Sequence, residues 1–155
     1  MAVNTSEKLR ILVVEDDLAS VKLLQRTLTR LILPISRMEV AQSLEDALKL
    51  AESEAFHVAM LDLNLPDSTG LNTLAKMSSE HPYMAIVVAT GAYDEETGIQ
   101  AIAHGAQEYL VKGCYDMETL SRSIRYAPAR IAMARPSPVS KGLFAKLNIK
   151  FVGPL

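Results

Sequence analysis

Short apolar runs and segments of helical period alternate five times along this chain of 155 residues. The apolar runs lie at residues 11–14, 38–40, 58–61, 85–89 and 109–111. Each is followed by apolar residues spaced three or four apart, the pattern of an amphipathic helix. Repeated strand–helix alternation predicts a parallel sheet covered by helices on both faces. The expected fold class is therefore α/β, a doubly wound five-stranded parallel sheet with right-handed crossovers.

The composition excludes several classes of protein. Apolar residues make up 49% and charged residues 22% of the chain, which is typical of globular proteins and not of disordered ones. No apolar stretch reaches the roughly 18 residues that a membrane-spanning helix needs, so no membrane partner is expected. The single cysteine, Cys114, excludes an internal disulfide. The cytoplasm is therefore the expected location.

Charge is unevenly distributed along the chain, although the formal net charge is only −2. Residues 1–118 contain all 18 acidic side chains and 9 of the 16 basic ones, hence a charge of −9. Residues 119–155 contain no acid and the other 7 basic side chains, hence +7. An acidic body with a basic end argues against direct nucleic-acid binding by the whole domain. The basic end is expected to be solvated, or to contact the acidic body or an anionic partner.

The last part of the chain departs from the strand–helix pattern. Pro128 follows the final helical stripe and is expected to break or kink that helix, because its ring clashes with the preceding turn. The sequence Arg-Pro-Ser-Pro at 135–138 is typical of a linker, and residues 147–151 carry a weak alternating strand signal. We therefore expect one domain at residues 8–127 and a basic C-terminal extension or linker at 128–155.

Charged and polar residues follow the predicted strands where each one ends. The first strand ends in Glu15, Asp16 and Asp17, and the third ends in Asp62. The fourth strand ends in Thr90-Gly91, and the fifth ends in Lys112. In an open parallel sheet ligands bind outside the carboxyl ends of the strands. These carboxylates, the hydroxyl and the ammonium are therefore expected to converge at one edge of the sheet.

Such a cluster predicts a particular chemistry. Carboxylates that converge repel one another unless a cation lies between them, and Mg²⁺ suits a site of one or two carboxylates, a backbone carbonyl and waters. A carboxylate on such a metal can attack phosphorus and form an aspartyl-phosphate. Phosphoryl transfer then needs mainly positioning and neutralisation of charge on the phosphoryl oxygens. Taken singly, Asp16 or Asp17 could instead be a helix N-cap, and Asp62 a turn residue.

Four segments, in order at four strand ends, carry a family resemblance. They are 13–17 (VVEDD), 61–70 (LDLNLPDSTG), 87–91 (VVATG) and 105–112 (GAQEYLVK). With them the sequence resembles the response-regulator receiver domains of two-component signalling, over roughly residues 8–127. The resemblance implies a flavodoxin-like strand order, 2-1-3-4-5. It also implies a phosphorelay module that catalyses only its own phosphotransfer and dephosphorylation and is not a turnover enzyme.

The resemblance implies roles for the acidic residues. Asp62 would be the phosphoacceptor. Asp16 and Asp62 would hold Mg²⁺ together with the backbone carbonyl of Asn64, and Glu15 would reach the metal through water.

The resemblance assigns the remaining site residues and the partners as well. Thr90 and Lys112 would bind the phosphoryl oxygens, and Tyr109 would be the aromatic residue that changes rotamer with Thr90. For Tyr109 the alternative is an ordinary half-buried strand residue. The expected partners are a sensor histidine kinase or phosphotransfer protein and a downstream protein target, with no direct contact to nucleic acid.

Two positions depart from the family pattern. Gly113 follows Lys112, where the family often has a proline preceded by a cis peptide bond. A cis bond before a non-proline residue costs about 2.5–4 kcal/mol, so a trans bond or a rearranged loop is expected here. Gly91 follows Thr90, where the family often has alanine.

Other functions fit the sequence less well or differ only in the output. A haloacid-dehalogenase-like phosphohydrolase would need a second aspartate two residues after Asp62, and Asn64 stands there, whose amide cannot act as the general acid. A non-phosphorylatable pseudo-receiver would usually lack the acceptor or the lysine. A receiver cut from a longer regulator, without its output domain, remains an alternative.

Overall fold

The computed structural model describes residues 8–91 and 94–134. Strands and helices are numbered in chain order. The strands are β1 (Leu9–Val14), β2 (Ile35–Ala41), β3 (Val58–Leu61), β4 (Asn64–Leu65), β5 (Ser68–Thr69), β6 (Ala85–Thr90) and β7 (Glu108–Val111). The helices are α1 (Leu18–Arg30), α2 (Leu44–Ser53), α3 (Leu71–Glu80), α4 (Glu95–Ala103) and α5 (Met117–Ala134).

The five long strands form one parallel sheet in the order β2-β1-β3-β6-β7. Among these five strands that is the order 2-1-3-4-5, so the predicted fold class and topology are confirmed. β4 and β5 form a separate antiparallel hairpin between β3 and α3. The register places Val14, Leu61 and Val88 side by side, so β1, β3 and β6 end at the same edge of the sheet.

Successive strand residues point to opposite faces of the sheet, and helices bury both faces. One face packs on α2, α3 and α4; its buried residues include Leu12, Leu61, Ile86, Ala47, Leu74, Met77 and Ala101. The other face packs on α1 and α5; its buried residues include Ile11, Met60, Val87, Leu28, Leu120 and Ile124. Two separate apolar layers therefore hold the strand ends in fixed relative positions.

Short polar side chains cap most of the helices at their amino ends. Asp17, and not Asp16, is the N-cap of α1, where its carboxylate accepts from the Ser20 backbone N–H at 3.2 Å. Ser43 caps α2 and Asp94 caps α4 in the same way. Asp17 therefore caps α1, whereas Asp16 is not needed as a cap and lies at the edge of the sheet.

Helix α5 continues through Pro128 to Ala134, so of the two expected outcomes, a break or a kink, the break is not found. Pro128 lacks an N–H and costs a helix interior about 3 kcal/mol. Ile131, one turn later, is buried in the same apolar layer as Ile124, and full burial of such a side chain contributes about 1.5–3 kcal/mol. The expected division between residues 127 and 128 thus falls inside a helix, while the linker at 135–138 and the strand signal at 147–151 lie outside the described residues.

Within residues 8–91 and 94–134, no helix is long and apolar enough to cross a membrane.

Candidate functional site

Three carboxylates meet where β1 and β3 end. Glu15 and Asp16 directly follow β1, and Asp62 directly follows β3 and donates its backbone N–H to the Val14 carbonyl at 3.0 Å. Glu15, Asp16 and Asp62 each offer an oxygen within 4.8 Å of the others. Glu15 and Asp62 are buried, whereas Asp16 is exposed. The predicted convergence of acidic side chains is present.

Lys112 brings a positive charge to the same place from the end of β7. Its backbone N–H donates to the Thr90 carbonyl at 2.7 Å, which continues the pairing of β6 with β7. Its Nζ forms an ion pair with Glu15 and a second with Asp62, the latter at 3.1 Å from Oδ2. One ammonium therefore bridges the two buried carboxylates.

Burial and neighbouring charge act in opposite directions on these groups. Burial raises the pKa of Glu15 above its usual value; the hydrogen bond from Lys112 offsets part of that rise, and the nearby Asp62 adds to it. Burial lowers the pKa of Lys112, but the hydrogen bonds and charges of Glu15 and Asp62 together outweigh it, so the pKa of Lys112 is raised. Lys112 is therefore firmly cationic at neutral pH.

The donor set fits a hard divalent cation. Ionised Glu15, Asp16 and Asp62 with protonated Lys112 leave two uncompensated negative charges. All three acidic ligands are oxygen donors, the type that Mg²⁺ prefers. The predicted carbonyl ligand, Asn64, begins the β4–β5 hairpin, and its backbone N–H donates to Asp62 Oδ1 at 3.1 Å. This contact places Asn64 next to the proposed acceptor.

Thr90 and Tyr109 occupy different surroundings. Thr90 ends β6 and is half-buried, joined to Lys112 through the backbone. Tyr109 is also half-buried, but it packs with the layer that contains Ala101 of α4. The structure therefore joins Thr90 to Lys112 through the backbone and places Tyr109 between the sheet and α4.

The segment after Lys112 is a tight turn. Cys114 donates its backbone N–H to the Val111 carbonyl at 3.0 Å, and Gly113 adopts φ 78°, a region that favours glycine. None of the described peptide bonds is cis, so the bond before Gly113 is trans, as predicted.

A cavity of about 270 Å³ opens beside the cluster, between the sheet, α1 and the turn after β7. Asp62 and Lys112 lie at one side of it, and Leu24 and Tyr115 are among its apolar lining residues. Burial raises the pKa of the Tyr115 hydroxyl. Space for a reacting group therefore adjoins the proposed acceptor.

Two residues with clear structural contacts were not assigned a role from the sequence. Asp67 accepts hydrogen bonds from the backbone N–H groups of Leu44 and Glu45 in α2. Gly98, in the middle of α4, lies against the ring of Tyr109. A lone glycine inside a helical pattern is a sequence signal for close packing. For Asp67 no neighbouring residue indicates the partner, because Leu44 lies 23 residues away.

The family model described as "Response regulator receiver domain" matches residues 11–125. Among curated proteins, the chain is 34% identical over 111 residues to the alginate biosynthesis transcriptional regulatory protein AlgB of Pseudomonas aeruginosa. That alignment covers 71% of this chain and 24% of AlgB. The chain thus spans about a quarter of the length of this relative.

Solved structures agree with this match. A CheY-like receiver domain protein from Methanospirillum hungatei superposes with a TM-score of 0.68 at 26% identity, covering 81% of this chain and 97% of that one. The BeF3-activated DrrB receiver domain superposes with a TM-score of 0.65 at 27% identity, covering 80% of this chain and 100% of that one.

Proposed function

Because the chain belongs to the response-regulator receiver family, we propose that Asp62 accepts a phosphoryl group from a phosphohistidine and that the domain then signals to a partner protein. Receiver domains work with histidine kinases and are not turnover enzymes. The phosphoryl donor in this proposal is a sensor histidine kinase or a phosphotransfer protein of the cytoplasm. The observation that carries the proposal is the bridge from Lys112 to Asp62 and Glu15, with Asp16 alongside.

In the proposed transfer, an oxygen of the Asp62 carboxylate attacks phosphorus. The new O–P bond forms as the P–N bond to the donor imidazole breaks, and the leaving imidazole nitrogen takes up a proton. Asp62 is held for this step by hydrogen bonds from Asn64 N–H and Lys112 Nζ, so its orientation is set before the donor arrives.

Asp16, Asp62 and the carbonyl of Asn64 would hold Mg²⁺, with Glu15 acting through water. The ion would neutralise charge that develops on the phosphoryl oxygens. Lys112 would also neutralise this charge, because its ammonium already lies 3.1 Å from Asp62 Oδ2. The Thr90 hydroxyl supplies a further hydrogen bond to the phosphoryl group in this proposal.

The proposed output runs from the acceptor to the surface formed by α4, β7 and α5. A phosphoryl group adds roughly −1.5 to −2 of charge and draws Thr90 and Lys112 towards it. Thr90 ends β6, Lys112 directly follows β7, and Tyr109 lies three residues before Lys112 on β7. Ile99, Ile102 and Tyr126 expose apolar area there, which suits a protein partner.

A second candidate differs only in what receives the signal. The curated relatives are much longer than this chain, and AlgB is described as a transcriptional regulatory protein. The same module would then control a domain attached to it, not a separate partner. Chemistry at Asp62 is common to both candidates.

Intact-mass measurement after incubation with Mg²⁺ and acetyl phosphate tests the proposed function. We expect a gain of one phosphoryl group that requires Mg²⁺. Asp62→Asn is nearly isosteric and should show no gain. Stable labelling of that variant would place the acceptor elsewhere, and absence of labelling in the wild type with every donor, including a histidine kinase, would refute the proposal.

A further inference from the structure

Asp67 fastens the loop that follows Asp62 to a different part of the fold. Its Oδ1 accepts from the Leu44 backbone N–H at 2.9 Å, and its Oδ2 accepts from the Glu45 backbone N–H at 3.0 Å. These donors belong to the first turn of α2, where backbone N–H groups have no partner within the helix. Helix α2 already has its own cap, Ser43, whose Oγ accepts from the Asp46 N–H at 3.1 Å. The bonds from Asp67 are therefore additional to ordinary capping.

The carboxylate is well suited to this contact. An anion is favoured at the amino end of a helix by the helix dipole. The hydrogen bonds from Leu44 and Glu45 lower the pKa of Asp67 below its usual value. Asp67 is thus ionised at neutral pH, and both of its carboxylate oxygens accept hydrogen bonds from α2.

Asp67 also stands at the tip of the hairpin that begins with Asn64. Leu65 pairs with Ser68 and Asn64 pairs with Thr69, so Pro66 and Asp67 form the two-residue connection. Leu65 is buried, and Gly70 N–H donates to the Leu63 carbonyl at 2.7 Å. The base of the hairpin is fixed by these contacts, and its tip is fixed by Asp67.

We propose that Asp67 is a positioning residue for the metal site, because its contact with α2 fixes the hairpin that carries Asn64. The Asn64 N–H bonds to Asp62, and its carbonyl would be the ligand. This inference rests on the proposed function, in which that carbonyl is a ligand. Mg²⁺ requires near-ideal octahedral geometry, so a small displacement of one ligand weakens binding. Asp67 itself touches neither the metal nor the phosphoryl group.

A matched pair of variants separates positioning from simple helix stabilisation. Asp67→Asn removes one of the two bonds from the hairpin tip to α2, since the amide nitrogen cannot accept from a backbone N–H. Ser43→Ala removes a cap from the same helix end and leaves the hydrogen bonds between Asp67 and α2 intact. Both variants should lose stability in urea unfolding, whereas only Asp67→Asn alters the contact between α2 and the hairpin that carries Asn64.

The decisive measurement is the affinity for Mn²⁺, monitored by electron paramagnetic resonance, with Mg²⁺ as the competing ion. We expect Asp67→Asn to weaken metal binding about tenfold, the size of effect that supporting residues around metal ligands commonly have. Ser43→Ala should bind as the wild type does. Phosphorylation by acetyl phosphate should need correspondingly more Mg²⁺ in Asp67→Asn and approach the wild-type rate at saturating metal.

The outcomes are distinguishable. Equal metal affinity in Asp67→Asn and the wild type would overturn the positioning role, as would an equal loss in Ser43→Ala. A wild-type chain that binds no metal and takes up no phosphoryl group would overturn the proposed function and this inference together. Asp67→Ser, whose hydroxyl likewise leaves a single acceptor and no charge, replaces Asp67→Asn if the latter is unfolded at room temperature.

Discussion

Gly98 of α4 lies directly against the ring of Tyr109 on β7, so closely that a Cβ at residue 98 would be 3.0 Å from Tyr109 Cδ1 and 3.3 Å from Cε1. Glycine in a helix interior costs about 1 kcal/mol relative to alanine. Its presence in the middle of α4 is accounted for by the space that the ring needs. The contact couples α4 to the residue that, by the family resemblance, is expected to change rotamer with Thr90.

A double-mutant cycle tests this contact. Gly98→Ala alone should give no stabilisation or a small loss, because the new methyl group forces the Tyr109 ring to move. In a Tyr109→Ala background the same change should stabilise the protein by about 1 kcal/mol, the ordinary helix gain. Urea unfolding of the four proteins gives the coupling energy. Equal effects of Gly98→Ala in both backgrounds would show that the contact has no energetic weight.

The output surface should respond to phosphorylation. Beryllofluoride, in place of the phosphoryl group, is expected to change amide hydrogen exchange in α4, β7 and α5. A ligand shifts a conformational equilibrium only through its different affinity for the two states, so the affected segments mark the element that switches. Changes limited to α2 and α3, with residues 108–111 unaffected, would place the output elsewhere.

Removal of Asp16 should separate metal binding from folding. Asp16 is exposed and adds a third negative charge to the cluster, so Asp16→Ala relieves repulsion and should leave the free energy of unfolding unchanged or slightly higher. Phosphorylation should fall by at least about tenfold through loss of a metal ligand. Acetyl phosphate labelling and urea unfolding measure the two effects. Labelling at the wild-type rate would exclude Asp16 from the metal site.

The tie between Asp67 and α2 should weaken in acid. The pKa of Asp67 is lowered in the folded protein from its ordinary value of 3.8, so its stabilising contribution is complete above that value. It is lost as the pH falls through the folded pKa. The difference in unfolding free energy between wild type and Asp67→Asn should therefore be constant from neutral pH to about pH 5 and shrink below about pH 4. A difference that stays constant in acid would mean that the ionised carboxylate is not what binds α2.

The part of α5 beyond Pro128 should contribute to stability. Ile131 is 5% exposed, so Ile131→Ala is expected to cost about 2–4 kcal/mol in urea unfolding, as for other buried aliphatic side chains. Met133 is 60% exposed, and Met133→Ala should stay within about 0.5 kcal/mol. Similar small effects for both would indicate that the domain ends before Ile131.

Much of the site followed from chain order and sheet geometry. Glu15, Asp16, Asp62 and Lys112 could be assigned to one edge because each directly follows a strand, and parallel strands end at the same side. Their residue types then indicated a cation and phosphoryl chemistry. The role of each neighbouring acidic residue was harder to predict. From the sequence either Asp16 or Asp17 could cap α1, and in the structure the cap is Asp17.

The sequence by itself determined the alternation of strands and helices, since buried runs and amphipathic stripes are local patterns with periods set by backbone geometry. Contacts between distant segments were decided only by the tertiary structure. The ion pair of Lys112 with Glu15 spans 97 residues, and Asp67 reaches α2 across 23. The continuation of α5 through Pro128 was likewise decided by packing, because burial of Ile131 opposes a local penalty that the proline alone would impose. Local pattern placed the chemical groups at the ends of their strands, and the packing of the two apolar layers brought them together.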